Sequence, residues 1–108
     1  MNAEQLSTWL TAISSAQRMR ILATIADGPL HVSEIARRME MSRALLYMHL
    51  AKLEEAGFVT GHHELTDDGK ALKLFEAVPF ATTLDLATLV AAVASSPKPQ
   101  PQPTESSE

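Results

Sequence analysis

The stretch SEIARRMEMSRALLYMHLAKLEEAGFV, from Ser33 to Val59, contains two helix-forming segments separated only by Glu40, Met41 and Ser42. The first runs from Glu34 to Met39. Ser33 is placed to accept from the free amides at its start, and Glu34 to complement its positive end. Ser42 is placed to cap the second segment, and Gly57 to close it, because glycine tolerates the left-handed C′ position. Leu46, Leu50 and Leu53 recur at helical spacing as an inner face, with Leu45 or His49 at its margins. An outward set remains: Arg43, Ala44, Tyr47, Met48 and Lys52. Two capped helices joined by so short a turn describe a helix-turn-helix. Ile35, Ala36, Met39 and Met41 would brace the second helix through Leu46 and Leu50, and the DNA major groove admits a helix held that way.

Towards the N-terminus, Asn2 and Gln5 have capping-box spacing. Leu6, Trp9, Leu10 and Ile13 follow at i, i+3, i+4 and i+7, one apolar stripe. Ser14 and Gln17 repeat the capping spacing before a second helix, expected to bury Met19, Ile21, Leu22 and Ile25. Asp27-Gly28-Pro29 ends that helix, and Leu30-His31-Val32 reads as a brief extended link.

Beyond the motif, Phe58 to Leu65 reads as a strand, Asp68-Gly69 as a tight turn and Ala71 to Phe80 as the returning strand. A hairpin at this spacing is a wing, whose tip can touch the neighbouring DNA backbone or minor groove. The letters LTDDGKALKLF also admit a helix starting after Thr66, with Leu72 and Phe75 on one side; the turn signal favours the hairpin. Leu86, Leu89, Val90 and Val93 repeat the amphipathic spacing in a last helix from about Asp85 to Ala94. SSPKPQPQPTESSE has four prolines and almost nothing to bury, which predicts a disordered tail over residues 96–108. The fold class expected is mainly α with a small β-hairpin wing (α+β), a single winged helix-turn-helix domain over residues 1–95.

Composition narrows the function. At 108 residues the chain suits one domain, and it has no cysteine, hence no disulfide, thiolate metal site or thiol nucleophile. The start MNAEQLSTWLTAISS is not built like a signal peptide, and no apolar run approaches membrane-spanning length, so a cytoplasmic protein with no membrane partner is expected. The net charge of −4 looks unfavourable for nucleic acid, but its distribution is uneven. Arg37, Arg38, Arg43 and Lys52 lie between Ser33 and Leu53 against Glu34 and Glu40, with Arg18 and Arg20 just before; acid gathers at Glu54-Glu55, Asp67-Asp68 and the tail. No glycine-rich phosphate loop, GxSxG elbow or paired carboxylates in a pocket appear, so an enzyme is not expected. His31, His49, His62 and His63 could in principle join Glu64 at a metal, yet adjacent residues of a strand point to opposite faces, so His62 and His63 cannot readily chelate one ion. No metal and no cofactor are expected. Met19, Met39 and Met41 fit inward positions as gap fillers. Tyr47 and Met48 are exposed by helical phase, where thymine methyl groups or a protein partner would suit them.

The run SSAQRMRILATIADGPLHVSEIARRMEMSRALLYMHLAKLEEAGFV resembles the winged helix-turn-helix regulators of the arsenic-repressor (ArsR-type) family, with MarR-type regulators as near cousins. The carrying residues are Arg18, Arg20, Ile21 and Leu22 before Gly28-Pro29, then Ser33-Glu34-Ile35-Ala36, Ser42, His49-Leu50 and Leu53-Glu54-Glu55-Ala56-Gly57. The likeness spans roughly residues 14 to 80, and the ordered series carries it rather than any single motif. It implies a homodimeric DNA-binding transcription regulator. Metal-sensing members carry Cys-x-Cys in the segment that is Leu30-His31-Val32-Ser33 here, or Asp and His ligands on the last helix, where this chain offers Asp85 and no histidine. Metal sensing of that kind is therefore not expected, and an effector is left unknown.

The reading that results is a repressor, bound to duplex DNA as a homodimer with helix 43–56 in the major groove. Arg43 is the first candidate for base contact, Ser42, Ala44, Tyr47, Met48 and Lys52 share its surface, and Arg38, His63 and Lys70 would meet the phosphate backbone. Leu6, Trp9, Leu10 and Ile13, with Leu86, Leu89, Val90 and Val93, are the candidate dimer-forming residues. The competing reading is a winged-helix protein-interaction module using Leu45, Tyr47 and Met48.

Overall fold

The computed structural model describes residues 1–97; the rest of the expected proline-rich tail lies outside them. Five helices and three short strands follow in the order α1 (Ala3–Ile13), α2 (Ala16–Thr24), β1 (Leu30–His31), α3 (Val32–Met39), α4 (Arg43–Glu55), β2 (Val59–Leu65), β3 (Ala71–Ala77) and α5 (Leu86–Ala94). The described chain divides into two compact units, residues 8–82 and the pair of terminal segments 1–7 and 83–97.

The central unit is a winged helix. Ile21, Ile25, Val32, Ile35, Ala36, Leu46, Leu50, Leu53, Phe58, Val59 and Phe75 form its core, with Met39 and Met41 packed against it. Leu46, Leu50 and Leu53 sit on one face of α4 and are fully buried, as their spacing requires. Helix α4 begins at Ser42, whose hydroxyl accepts from the Leu45 amide at 3.2 Å. It closes with the Gly57 amide on Glu54 O and the Phe58 amide on Leu53 O, around Gly57 at φ 87°. That pairing satisfies the last carbonyls only if the C′ residue is left-handed, a conformation glycine adopts without a side-chain penalty. The turn between α3 and α4 closes in the same way on a residue less suited to it: Glu40 takes φ 52°, with the Met41 amide on Ala36 O.

Several expectations are corrected. Ser15, not Ser14, caps α2, its hydroxyl accepting from the Arg18 amide at 3.3 Å, while the Ser14 hydroxyl donates to Thr11 O. Helix α3 starts at Val32 rather than after a Ser33 cap; its N-cap is His31, with no side-chain capping bond. Met19 is 52% exposed instead of buried. Ile21 and Ile25, one turn apart, set the inner face of α2, and Met19 lies two residues out of that phase.

The hairpin reading agrees with the structure, and the helical alternative over 71–80 does not. β2 and β3 pair antiparallel from Val59↔Ala77 to Leu65↔Ala71. The connecting turn places Gly69 at φ 84° and has the Thr66 hydroxyl donating to the Asp68 carboxylate. That bond, followed by one from the Lys70 amide, lowers the Asp68 pKa. β3 ends at Ala77 rather than Phe80. The Val78 amide still reaches Phe58 O at 2.8 Å, but Pro79 has no amide to donate, and Phe80 turns to meet the rings of Trp9 and Phe58 at 5.5 and 4.7 Å. The expected link Leu30-His31 is a strand in its own right, paired with Phe75 and Leu74, so the sheet has three strands in the order β1-β3-β2.

In the terminal unit the capping box forms as read: the Asn2 amide donates to Gln5 Oε1 and the Gln5 amide to Asn2 Oδ1. Asp85 caps α5 by accepting from the Thr88 amide at 2.8 Å. The Ala3 amide donates to Ser96 Oγ at 2.8 Å, joining the start of α1 to the end of α5.

Candidate nucleic-acid interface

The outward face of α4 is built by subtraction. Once Leu46, Leu50 and Leu53 are committed to the core, Arg43, Ala44, Tyr47, Met48 and Lys52 are left exposed, as their phase predicts. Among the described residues no intramolecular hydrogen bond or ion pair engages the side chains of Arg43, Tyr47 or Lys52. Ser42 also lies here, and its hydroxyl accepts from the Leu45 amide, so its observed part is to start the helix.

Arg43 and Tyr47 line a cleft of about 310 Å³ together with His63 and Lys73 of the wing and His31 and Ser33 at the start of α3. His63 and Lys73 are directly opposed in the β2–β3 register. The cleft is therefore bordered by basic side chains from the sheet and the second helix of the motif. Lys73 is the residue that sequence reasoning missed. Strand alternation puts it on the same face as Phe75, and its ammonium lies 5.3 Å from that ring's centre. The signal available was its cross-strand pairing with His63, which could be read only once the hairpin register was fixed. Gly61 keeps this face closed: a Cβ there would stand 2.7 Å from Phe75 Cε1 and 3.0 Å from Lys73 Cε.

The other expected contacts are not gathered into the cleft. Arg38 is exposed on α3, but its Nε donates to Glu34 Oε2 at 2.6 Å, and Arg37 binds the same carboxylate. The Arg37 hydrogen bond, then that of Arg38, holds the Glu34 pKa down to about 2. Lys70 belongs to the wing turn beside Asp67 and Asp68, so the tip has more acid than base. His31 Nε2 lies 3.2 Å from Glu64 Oε1, linking the first and last strands of the sheet.

Arg18, read as part of the basic cluster, is turned inward. It donates from Nε to Ala12 O at 2.6 Å and from Nη2 to Thr11 O at 3.3 Å, covering carbonyls at the end of α1. Its Nη1 lies 3.1 Å from His49 Nδ1. A guanidinium can only donate, so Nδ1 accepts and the imidazole is neutral. Burial, then the charges of Arg18 and Lys52, lowers the His49 pKa.

Of the candidate dimer-forming residues, Trp9 and Ile13 pack against the chain's own core, with the Trp9 ring 4.8 Å from Phe58. Leu6 is buried and Leu10 half-buried. Trp9 and Ile13 thus have cover within their own chain. Leu86, Leu89, Val90 and Val93 on α5 are instead 42–75% exposed.

Among the described residues no group of three or more His, Cys, Asp or Glu side chains could hold a metal ion, and no helix is long and apolar enough to cross a membrane. A braced helix-turn-helix with a wing beside it, and a basic cleft between them, is the architecture of the winged-helix class. The comparisons agree. A family model described as "Bacterial regulatory protein, arsR family" matches residues 15–60. An uncharacterized HTH-type transcriptional regulator of Methanocaldococcus jannaschii is 32% identical over 74 residues, covering 68% of this chain and 77% of that protein. The transcriptional activator HlyU of Vibrio cholerae is 33% identical over 63 residues, 58% of each chain. A solved structure of HlyU matches the fold with a TM-score of 0.60 at 23% identity, over 85% of this chain and 87% of that one. The transcriptional repressor BigR of Xylella fastidiosa matches with a TM-score of 0.59 at 17% identity, over 86% and 83%. The chain belongs to the ArsR family of DNA-binding transcription regulators, and it is not an enzyme.

Proposed function

We propose that the protein is a sequence-specific repressor that binds duplex DNA as a homodimer, α4 entering the major groove of each half-site. The observation that carries this is the exposed face Arg43, Ala44, Tyr47, Met48 and Lys52 on a helix braced by α3, with His63 and Lys73 of the wing beside Arg43 and Tyr47. Arg43 serves as the hydrogen-bonding reader. Lys52, Lys73 and His63 approach phosphates, joined by Lys70 and Arg38, whose guanidinium retains donors beyond the one given to Glu34. Repression is the simplest output of such a protein, because occupying the site already excludes other proteins from it.

The homodimer reading is supported by the exposed apolar row Leu86, Leu89, Val90 and Val93. A helix face of that kind in water favours a partner, and two linked half-site contacts raise apparent affinity with no new contact at either site. Duplex binding measured against salt tests the reading. With about four to eight phosphate contacts per dimer, log K should fall against log salt with a slope of about −0.9 per contact. Arg43→Ala should cost roughly 1–3 kcal/mol at a selected site and little on random duplex. The net charge of −4 and the exposed Leu45, Tyr47 and Met48 favour a second reading, a protein-interaction module, and binding without salt dependence would select it.

A further inference from the structure

Resting on that placement of α4, we infer that Tyr47 and Met48 read the C5-methyl groups of thymine, with Arg43 as the one strong hydrogen-bonding base reader. The exposed residues of α4 from its start to Lys52 include Arg43, Ala44, Tyr47, Met48 and Ala51. Direct readout of adenine uses the paired donor and acceptor of Asn or Gln, and readout of cytosine uses a carboxylate. Helix α4, RALLYMHLAKLEE, contains no Asn, Gln or Asp, and its two glutamates come last. Glu54 already accepts from the Gly61 amide at 3.2 Å.

Neighbouring cations do not fill the gap. Arg37 and Arg38 share the Glu34 carboxylate, and Arg18 is spent on α1 and His49. The middle of the helix instead presents apolar surface: Tyr47 is 44% and Met48 53% exposed, flanked by Ala44 and Ala51. In the major groove the thymine methyl is the apolar feature that distinguishes one base pair from the other three. Small alanines let the helix approach closely, and the unbranched, polarisable methionine adapts to a methyl group better than a stiff side chain would. The expected half-site therefore combines a guanine opposite Arg43 with thymines opposite Tyr47 and Met48.

The test uses the full chain. Preferred duplexes are selected from a random pool, and deoxyuridine then replaces thymine at the selected positions. This keeps pairing and the O4 acceptor and removes only the methyl. Affinity should fall about fourfold per methyl and about fifteenfold with one lost from each half-site, the worth of a buried methylene-sized group. Met48→Ala should lose most of the thymine-to-uracil difference at the position it faces, and Met48→Leu, which keeps the apolar volume, should retain it. A selected site that binds equally well with uracil overturns the methyl readout and leaves α4 in the groove with Arg43 as its reader. A pool that yields no preferred sequence overturns the placement of α4 and this inference with it.

Discussion

Arg18 shows how a residue chosen for its charge can serve the fold. Its guanidinium ends α1, crosses from α2 to α4 and fixes the tautomer of His49. Hydrogen bonds from a charged donor contribute about 1.5–3 kcal/mol, so Arg18→Ala should lower unfolding free energy by about that much in a urea titration. Arg18→Lys should recover only part, since an ammonium cannot reproduce the fork. His49 carries the matching pH dependence. Its pKa is depressed in the folded state, so the folded chain resists a proton that the unfolded chain accepts. Stability is complete above the ordinary value of 6.5 and is lost as pH falls through the depressed one. Thermal unfolding followed from about pH 8 to about pH 5 should show Tm falling in that window. The fall should be smaller in His49→Gln, whose amide oxygen still accepts from Arg18.

At the level of elements, the helix-turn-helix owes its sharpness to a turn on Glu40, which sits at φ 52° where a side chain is disfavoured. Left-handed backbone costs an ordinary residue about 1–2 kcal/mol, against about 0.5–1 kcal/mol of extra unfolded-state entropy for glycine. Glu40→Gly should therefore stabilise the protein by about 0.5–1 kcal/mol, the difference of those terms, while Glu40→Ala should gain nothing. Equal denaturation midpoints for the two variants would show that the turn is not strained. The wing answers to a different constraint. Gly61→Ala has ordinary backbone angles available but drives a Cβ into the Phe75 ring, so a loss of about 1–3 kcal/mol is expected, with weaker DNA binding if Lys73 shifts with it.

For the whole molecule, the exposed row on α5 sets the expectation of a dimer. Asp at both Leu89 and Val93 should give a monomer in light scattering and weak DNA binding, with the circular dichroism of the winged-helix unit retained. Ending the chain after Ser96 should leave the dimer and DNA binding intact. A monomeric unaltered protein at micromolar concentration would overturn the dimer.

What the sequence by itself determined is what obeys local rules. The Asn2–Gln5 capping box, the Ser42 cap, the Gly57 closure, the Leu46-Leu50-Leu53 face and the Asp68-Gly69 turn involve residues within a few positions of one another, and spacing alone specifies them. The outward set on α4 was legible for the same reason, because helical phase divides core from surface. Where the local signal was repeated, as with Ser14 beside Ser15, it was ambiguous. Only the tertiary structure decided the rest. Leu30-His31 became a strand because β3 offered it a free edge. Trp9 was drawn to Phe58 and Phe80 across the chain, contacts that its place in the α1 stripe does not announce. Arg18, Arg38 and Lys73 have the same charge in the sequence, but one ends a helix, one is held by Glu34 and one borders the cleft with Arg43. Long side chains reach several ångströms from their own backbone, and which group they meet depends on what other parts of the chain bring there.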